Sequence, residues 1–167
     1  MLLTLCLLCI TLLGLTAPHS SAATIQVDAN KPRIFLGKGL EYVAAPNGET
    51  SLDAAHAIAP SRWQISHSDS VNLSYTDHPY WFRTTLYNPG KTTLQRQLEI
   101  AYPVLDYIDL FIVNQSGQSE HLRLGDKYPF SARPYWHRHF VVPLQITAGQ
   151  SVQLYLRVQT SSAMQIP

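Results

Sequence analysis

Between Tyr80 and Val113 apolar and polar residues alternate along three consecutive segments. In the middle one, Leu94, Leu98, Ile100 and Tyr102 fall on even positions, with Thr93, Gln95, Gln97 and Glu99 between them. A period of two is the mark of a strand with one dry face and one wet face. The third segment sets Ile108, Leu110 and Ile112 against Tyr107, Asp109 and Phe111, and the first carries Phe82, Thr84 and Leu86 on one side. Asn88-Pro89-Gly90 separates the first two with a turn, since Pro fixes φ and Gly tolerates positive φ. The pattern predicts three consecutive antiparallel strands as the nucleus of the fold. Trp81 shares a face with Arg83, Thr85 and Tyr87. Exposed, such a row would serve as a lectin-like platform, but large aromatics usually fill cores, so Trp81 is expected to be buried beneath the second sheet.

The same reading extends to both sides. Thr24–Val27 and Gly39–Val43 are short apolar runs suited to edge strands, and Asn47-Gly48 is a turn signal. SLDAAHAIA predicts one short helix near residues 51–58, with Ser51 as its cap and Asp53 in its first turn. Arg62-Trp63-Gln64 opens an extended segment, and 66–70 is polar loop. Further on, Asn114–Gly117 is a turn and His121–Leu124 a short strand closed by Gly125-Asp126. Residues 129–136 are irregular because Pro129 and Pro134 exclude ladder bonds. His137–Leu144 alternates again. Val152, Leu154, Leu156 and Val158 then give the cleanest strand, after a turn at Ala148-Gly149. About eight strands with regular turn punctuation predict an all-β antiparallel β-sandwich or jelly roll.

Composition narrows this picture. With 46% hydrophobic and 14% charged residues, the 167-residue chain can bury a core as one domain. Its net charge is only +1 and its Lys and Arg are scattered, so no basic stripe marks it for nucleic acid. Residues 1–23 read as a secretory signal peptide: an apolar run from Leu2 to Leu15, then Ser20, Ser21, Ala22 and Ala23 before the cut. Both cysteines, Cys6 and Cys9, lie inside it. The mature chain, 24–167, therefore has no disulfide staple, no thiol nucleophile and no thiolate zinc site, and must rely on its packed core. The closing SSAMQIP reads as the beginning of another strand, so the domain is expected to be truncated there.

Five stretches together carry a resemblance. LEYVAAPNGETSLDAA, YWFRTTLYNP, EIAYPVLDYIDLFIV, GDKYPFSARPYWHRHFVVPL and LYLRVQTSSAMQIP, in that order over residues 35 to 167, resemble the second extracellular domain type of bacterial seven-transmembrane receptors with diverse intracellular signalling modules. The resemblance implies a jelly-roll sandwich similar to carbohydrate-binding modules, placed in the periplasm. In the full receptor it implies attachment to the inner membrane, with seven helices and a diguanylate cyclase or histidine kinase output to follow. It implies a sensor for a small-molecule ligand, a carbohydrate among the candidates, whose partners are the receptor's membrane region and, in one arrangement, a second copy as a homodimer. No cofactor is expected. A freestanding secreted carbohydrate-binding module, or a module that dimerises or binds a protein, is the alternative.

Candidate chemistry concentrates in Gly125–His139. There Asp126, Arg133, Tyr135, Trp136, His137 and His139 combine rings that stack on sugars with groups that fork hydrogen bonds to hydroxyls or carboxylates. The competing assignment is structural: Phe130, Tyr135 and Trp136 plug the core's end and Arg133 ties the loop to Asp126. His137 and His139 would share one face of a strand, a separation a metal pair can use. With no cysteine beside them the expectation is no metal site. Asp106 and Asp109 could offer oxygens to calcium, but their odd spacing sets them on opposite faces and favours a capping or surface role. No nucleophile elbow, paired-carboxylate motif or glycine-rich phosphate loop occurs, so the chain is not read as an enzyme.

Overall fold

The clean alternation at 151–159 becomes the middle of the largest sheet. A computed structural model describes residues 23–45 and 49–167; residues 1–22, nearly all of the segment expected to be a signal peptide, and the expected Asn47-Gly48 turn lie outside the described residues. Eleven strands and one α-helix follow in order: β1 Thr24–Gln26, β2 Glu41–Ala44, α1 Leu52–His56, β3 Gln64–Ile65, β4 Val71–Asn72, β5 Tyr80–Tyr87, β6 Leu94–Ile100, β7 Tyr107–Asn114, β8 Ser119–Leu124, β9 Phe140–Ile146, β10 Ser151–Gln159 and β11 Gln165–Ile166. The large sheet has the order β3-β2-β5-β10-β7-β8, with β1 also paired to β5. Every pairing is antiparallel except β1 with β5. A second layer holds the β6–β9 pair, and β4 pairs with β11. The chain is an all-β sandwich.

The three strands expected as a nucleus all form, but they do not pair with one another. β10 lies between β5 and β7, setting Leu156 against both Phe82 and Leu110. β6 leaves for the other layer. The Asn88 side chain explains the departure. It is fully buried and donates from Nδ2 to the carbonyls of Thr92 and Ile146, both at 2.9 Å, while its Oδ1 accepts from the Gly90 N–H. Asn-Pro-Gly is therefore pinned to β9 and carries the chain between layers instead of closing a hairpin.

Even positions of the central strands face the second layer. Phe82, Ile108, Leu110, Leu156 and Val158 pack with Ile100, Phe140 and Val142, and at one end Leu86, Val152 and Leu154 meet Leu144 and Ile146. Odd positions are covered too. Trp81, Phe111, Val113 and Tyr155 pack with Ala55, Ile58 and Trp63. Trp81 is buried as expected, though its cover is α1 and the segment after it, not a second sheet. Ser51 caps α1, its Oγ accepting from the Ala54 N–H at 3.2 Å. This two-sided covering is why β5 alternates poorly in sequence: six of its eight residues are buried.

Candidate functional site

The segment from β8 to β9 crosses from one layer to the other, and its path is set by a few residues. Gly125 adopts φ +134°, and a Cβ there would lie 2.1 Å from the Asp106 carbonyl oxygen, so only glycine fits. Pro129 leads into a single 3-10 turn at Phe130–Ala132. Arg133 then braces the loop. Its Nη1 donates to the carbonyls of His137 and Arg138 at 2.9 and 2.6 Å, and its guanidinium lies 4.6 Å from the Phe130 ring and 4.5 Å from the Phe140 ring. Those bonds hold the 137 and 138 carbonyls within the loop, and the pairing with β6 begins only at Phe140, opposite Ile100. β9 starts at Phe140, not His137, which corrects the expected strand.

The loop delivers its aromatic tip to a groove of about 1040 Å³ between the layers. Tyr135, Trp136 and His137, the segment Lys31–Gly37, the β6 residues Gln95–Ile100, and the core side chains Phe82 and Leu154 line it. Trp136 is 86% exposed and sits edge-on to Phe130 at 4.6 Å; Phe130 and Tyr135 are also exposed. None of the three plugs the core. At the rim, Glu99 of β6 accepts a 2.7 Å hydrogen bond from His139 Nδ1 and pairs with Arg33 at 3.7 Å. The His139 hydrogen bond holds the Glu99 carboxyl below its usual range, against the opposing effect of burial. The rings of His137 and His139 meet edge to face at 5.2 Å, and His137 Nδ1 accepts from the His139 N–H at 3.1 Å.

Of the residues singled out in sequence, Tyr135, Trp136, His137 and His139 therefore gather at one mouth, with Arg133 behind them. Asp126 does not join them. Its N–H donates to Leu105 at 2.9 Å, at the corner where the chain leaves β8, and Arg133 makes its bonds within its own loop. Glu99 and Arg33 were missed because nothing local marks them: Glu99 lies 40 residues from His139 in the chain. Asp106 and Asp109 are both buried, which corrects the surface role expected of them. Asp106 Oδ2 accepts from the N–H and the hydroxyl of Ser161, both at 2.8 Å.

A second polar row runs under α1. Arg83 Nε donates to Glu41 Oε2 at 2.6 Å, and the Arg83 guanidinium lies 4.1 Å from the Trp63 ring. Burial pushes the Tyr155 phenol up, and the nearby Arg83 charge opposes this. Farther along, Asp109 meets Arg157 at 3.6 Å and His121 at 3.0 Å. Buried Trp63 Nε1, Trp81 Nε1, Arg83 Nη2 and Thr85 Oγ1 find no hydrogen-bond partner among the described residues. The Arg83–Glu41 and Arg157–Asp109 pairs are enclosed, and they make the row a brace between neighbouring strands of the large sheet.

No helix among the described residues is long and apolar enough to cross a membrane. The sequence model of one family, 7TMR-DISM extracellular 2, matches residues 37–167. No curated protein matches the chain.

Proposed function

The chain belongs to the 7TMR-DISM extracellular 2 family, the extracellular sensor domain of seven-transmembrane receptors, and on that premise we propose that it senses a small carbohydrate or similar polyhydroxylated ligand at the groove mouth. One observation carries this: an exposed indole, Trp136, stands with Tyr135 beside charged and amide groups of Arg33, Gln97 and Glu99 around a single opening. A ring face takes the apolar face of a sugar, and guanidinium and carboxylate groups take its hydroxyls. The domain acts by binding rather than by a reaction. It sits in the periplasm, tethered to the inner membrane by the receptor's helices. Occupancy biases their packing and so a cyclase or kinase output, only as far as the ligand prefers one of two receptor states.

The test is a thermal-shift screen of glycans at millimolar concentration with the full chain and with Trp136→Ala. A ligand at 100 times its Kd stabilises the bound form by about 2.7 kcal/mol, a shift of several degrees for a domain of this size. We expect at least one glycan to raise Tm in the parent and not in the variant. No shift with any glycan refutes the carbohydrate reading. A second reading, sensing through a protein or a second copy as a homodimer, draws on the β6–β9 pair, whose two strands hydrogen-bond only to each other among the described strands. Open strand edges accept further strands.

A further inference from the structure

Glu99, His137 and His139 each offer one ligand atom, and all three atoms lie within 4.8 Å of one another. We propose that these three residues form a binding site for a borderline divalent transition metal, zinc being the best match. The donor set selects the cation class. Two imidazoles and one carboxylate suit zinc, nickel or copper, whereas calcium and magnesium require oxygen-only shells. Two histidines and one glutamate with a fourth position open is also the composition of accessible zinc sites, in contrast to closed four-ligand structural ones.

The framework is rigid where it must be. Glu99 stands opposite Val141 in the β6–β9 ladder, and His139 immediately precedes Phe140, which is fully buried. His137 is tied down by the Arg133 bond to its carbonyl. Zinc bonds of roughly 2.0–2.2 Å set tetrahedral ligand atoms about 3.3 Å apart. The 2.7 Å contact between His139 Nδ1 and Glu99 Oε1 must therefore open by about half an ångström, while His137 must approach by a rotation of its exposed side chain. Binding exchanges protons for the cation: the one shared between His139 and Glu99 leaves to solvent. The 3.1 Å bond from the His139 N–H leaves the lone pair of His137 on Nδ1, so the cation either replaces that bond or takes Nε2 after a change of tautomer. Arg33, 3.7 Å from Glu99 and largely exposed, swings away as the positive ion enters. None of this depends on a sugar being bound.

The experiment uses the mature chain, residues 24–167, which carries no cysteine and no histidine tag, freed of metal with a chelator and titrated with Zn2+ by calorimetry, with Co2+ absorption as a coordination probe. One equivalent of Zn2+ is expected, along with cobalt d–d bands of a low-coordinate nitrogen and oxygen site. His137→Ala, an exposed position, and Glu99→Gln, an isosteric change, should each weaken zinc binding by at least tenfold while circular dichroism stays unchanged. His56→Ala, away from the cluster, should leave it intact. Absence of zinc binding, tighter binding of Ca2+ than of Zn2+, or zinc binding indifferent to both cluster variants would overturn the proposal. Failure of every glycan to bind would leave it standing.

Discussion

Removing Glu41 should be among the most damaging single changes in this protein, because it strands the charge of Arg83. Both side chains are about nine-tenths buried, and the Arg83 Nε to Glu41 Oε2 distance is 2.6 Å. At a separation near 4 Å between charge centres and an effective dielectric of 20, their attraction is about 4 kcal/mol. Measured costs of deleting one member of a buried pair run at about 3–5 kcal/mol. The two figures agree, and Arg83 Nη2 already lacks a hydrogen-bond partner, so losing Glu41 leaves the guanidinium without a counter-charge beside it. For a domain of about 150 residues such a loss lowers Tm by roughly 6–20 °C. The assay is urea unfolding of Glu41→Ala followed by tryptophan fluorescence, since Trp63 lies over the guanidinium, with thermal unfolding in parallel. The decisive control is Glu41→Leu with Arg83→Met. Removing both charges while keeping volume should recover most of the stability, because desolvation of the pair offsets much of its attraction. A cost below about 1 kcal/mol for the single change, a value typical of solvent-exposed pairs, would refute the claim that this pair is an enclosed brace.

Other outcomes follow from the same geometry. Trp136→Ala should change unfolding free energy by less than about 0.5 kcal/mol, as expected for an 86% exposed residue, which denaturant titration will check; a large loss would return the indole to a structural role. Gly125→Ala should destabilise by more than about 2 kcal/mol, combining positive-φ strain with the 2.1 Å clash at Asp106, seen as a fall in Tm. Ser51→Ala should cost about 1 kcal/mol through loss of the α1 cap, by the same titration. For Asp106 burial acts to raise the pKa, but the Ser161 hydrogen bonds outweigh it and the folded value is lowered from 3.8. A depressed folded value means that its stabilisation is present above about pH 4 and is lost as pH falls through the folded pKa. The stability gap between parent and Asp106→Asn should therefore narrow on acidification from pH 6 to 3; a gap that widens would contradict the assignment.

Strand identity was legible in the sequence wherever one face is dry and one wet. The alternation at 151–159 and the Ser51 cap were both read directly and both appear. Pairing was not legible. The buried Asn88 amide, which sends β6 to β9, looks in one dimension like an ordinary turn residue. His137 and His139 read as strand because their residue types alternate, but the β6–β9 ladder begins at Phe140, and Arg133 bonds hold the 137 and 138 carbonyls in the loop. The aromatic end of the candidate site was visible as a composition anomaly directly after Pro134. Its acidic partner Glu99 was not, being one polar residue on the wet face of an ordinary-looking strand.

The position of β10 has a consequence for how the molecule comes into being. This strand occupies the middle of the large sheet, yet it is synthesised after both strands it joins, and it meets β5 across roughly seventy residues of intervening chain. Until it arrives, β5 and β7 have no common neighbour and the main core cannot close. An extracellular domain must cross a membrane before it works, and a sheet whose central strand follows the two it joins cannot close until that strand too has been made. It then assembles slowly on the far side, as non-local pairing demands.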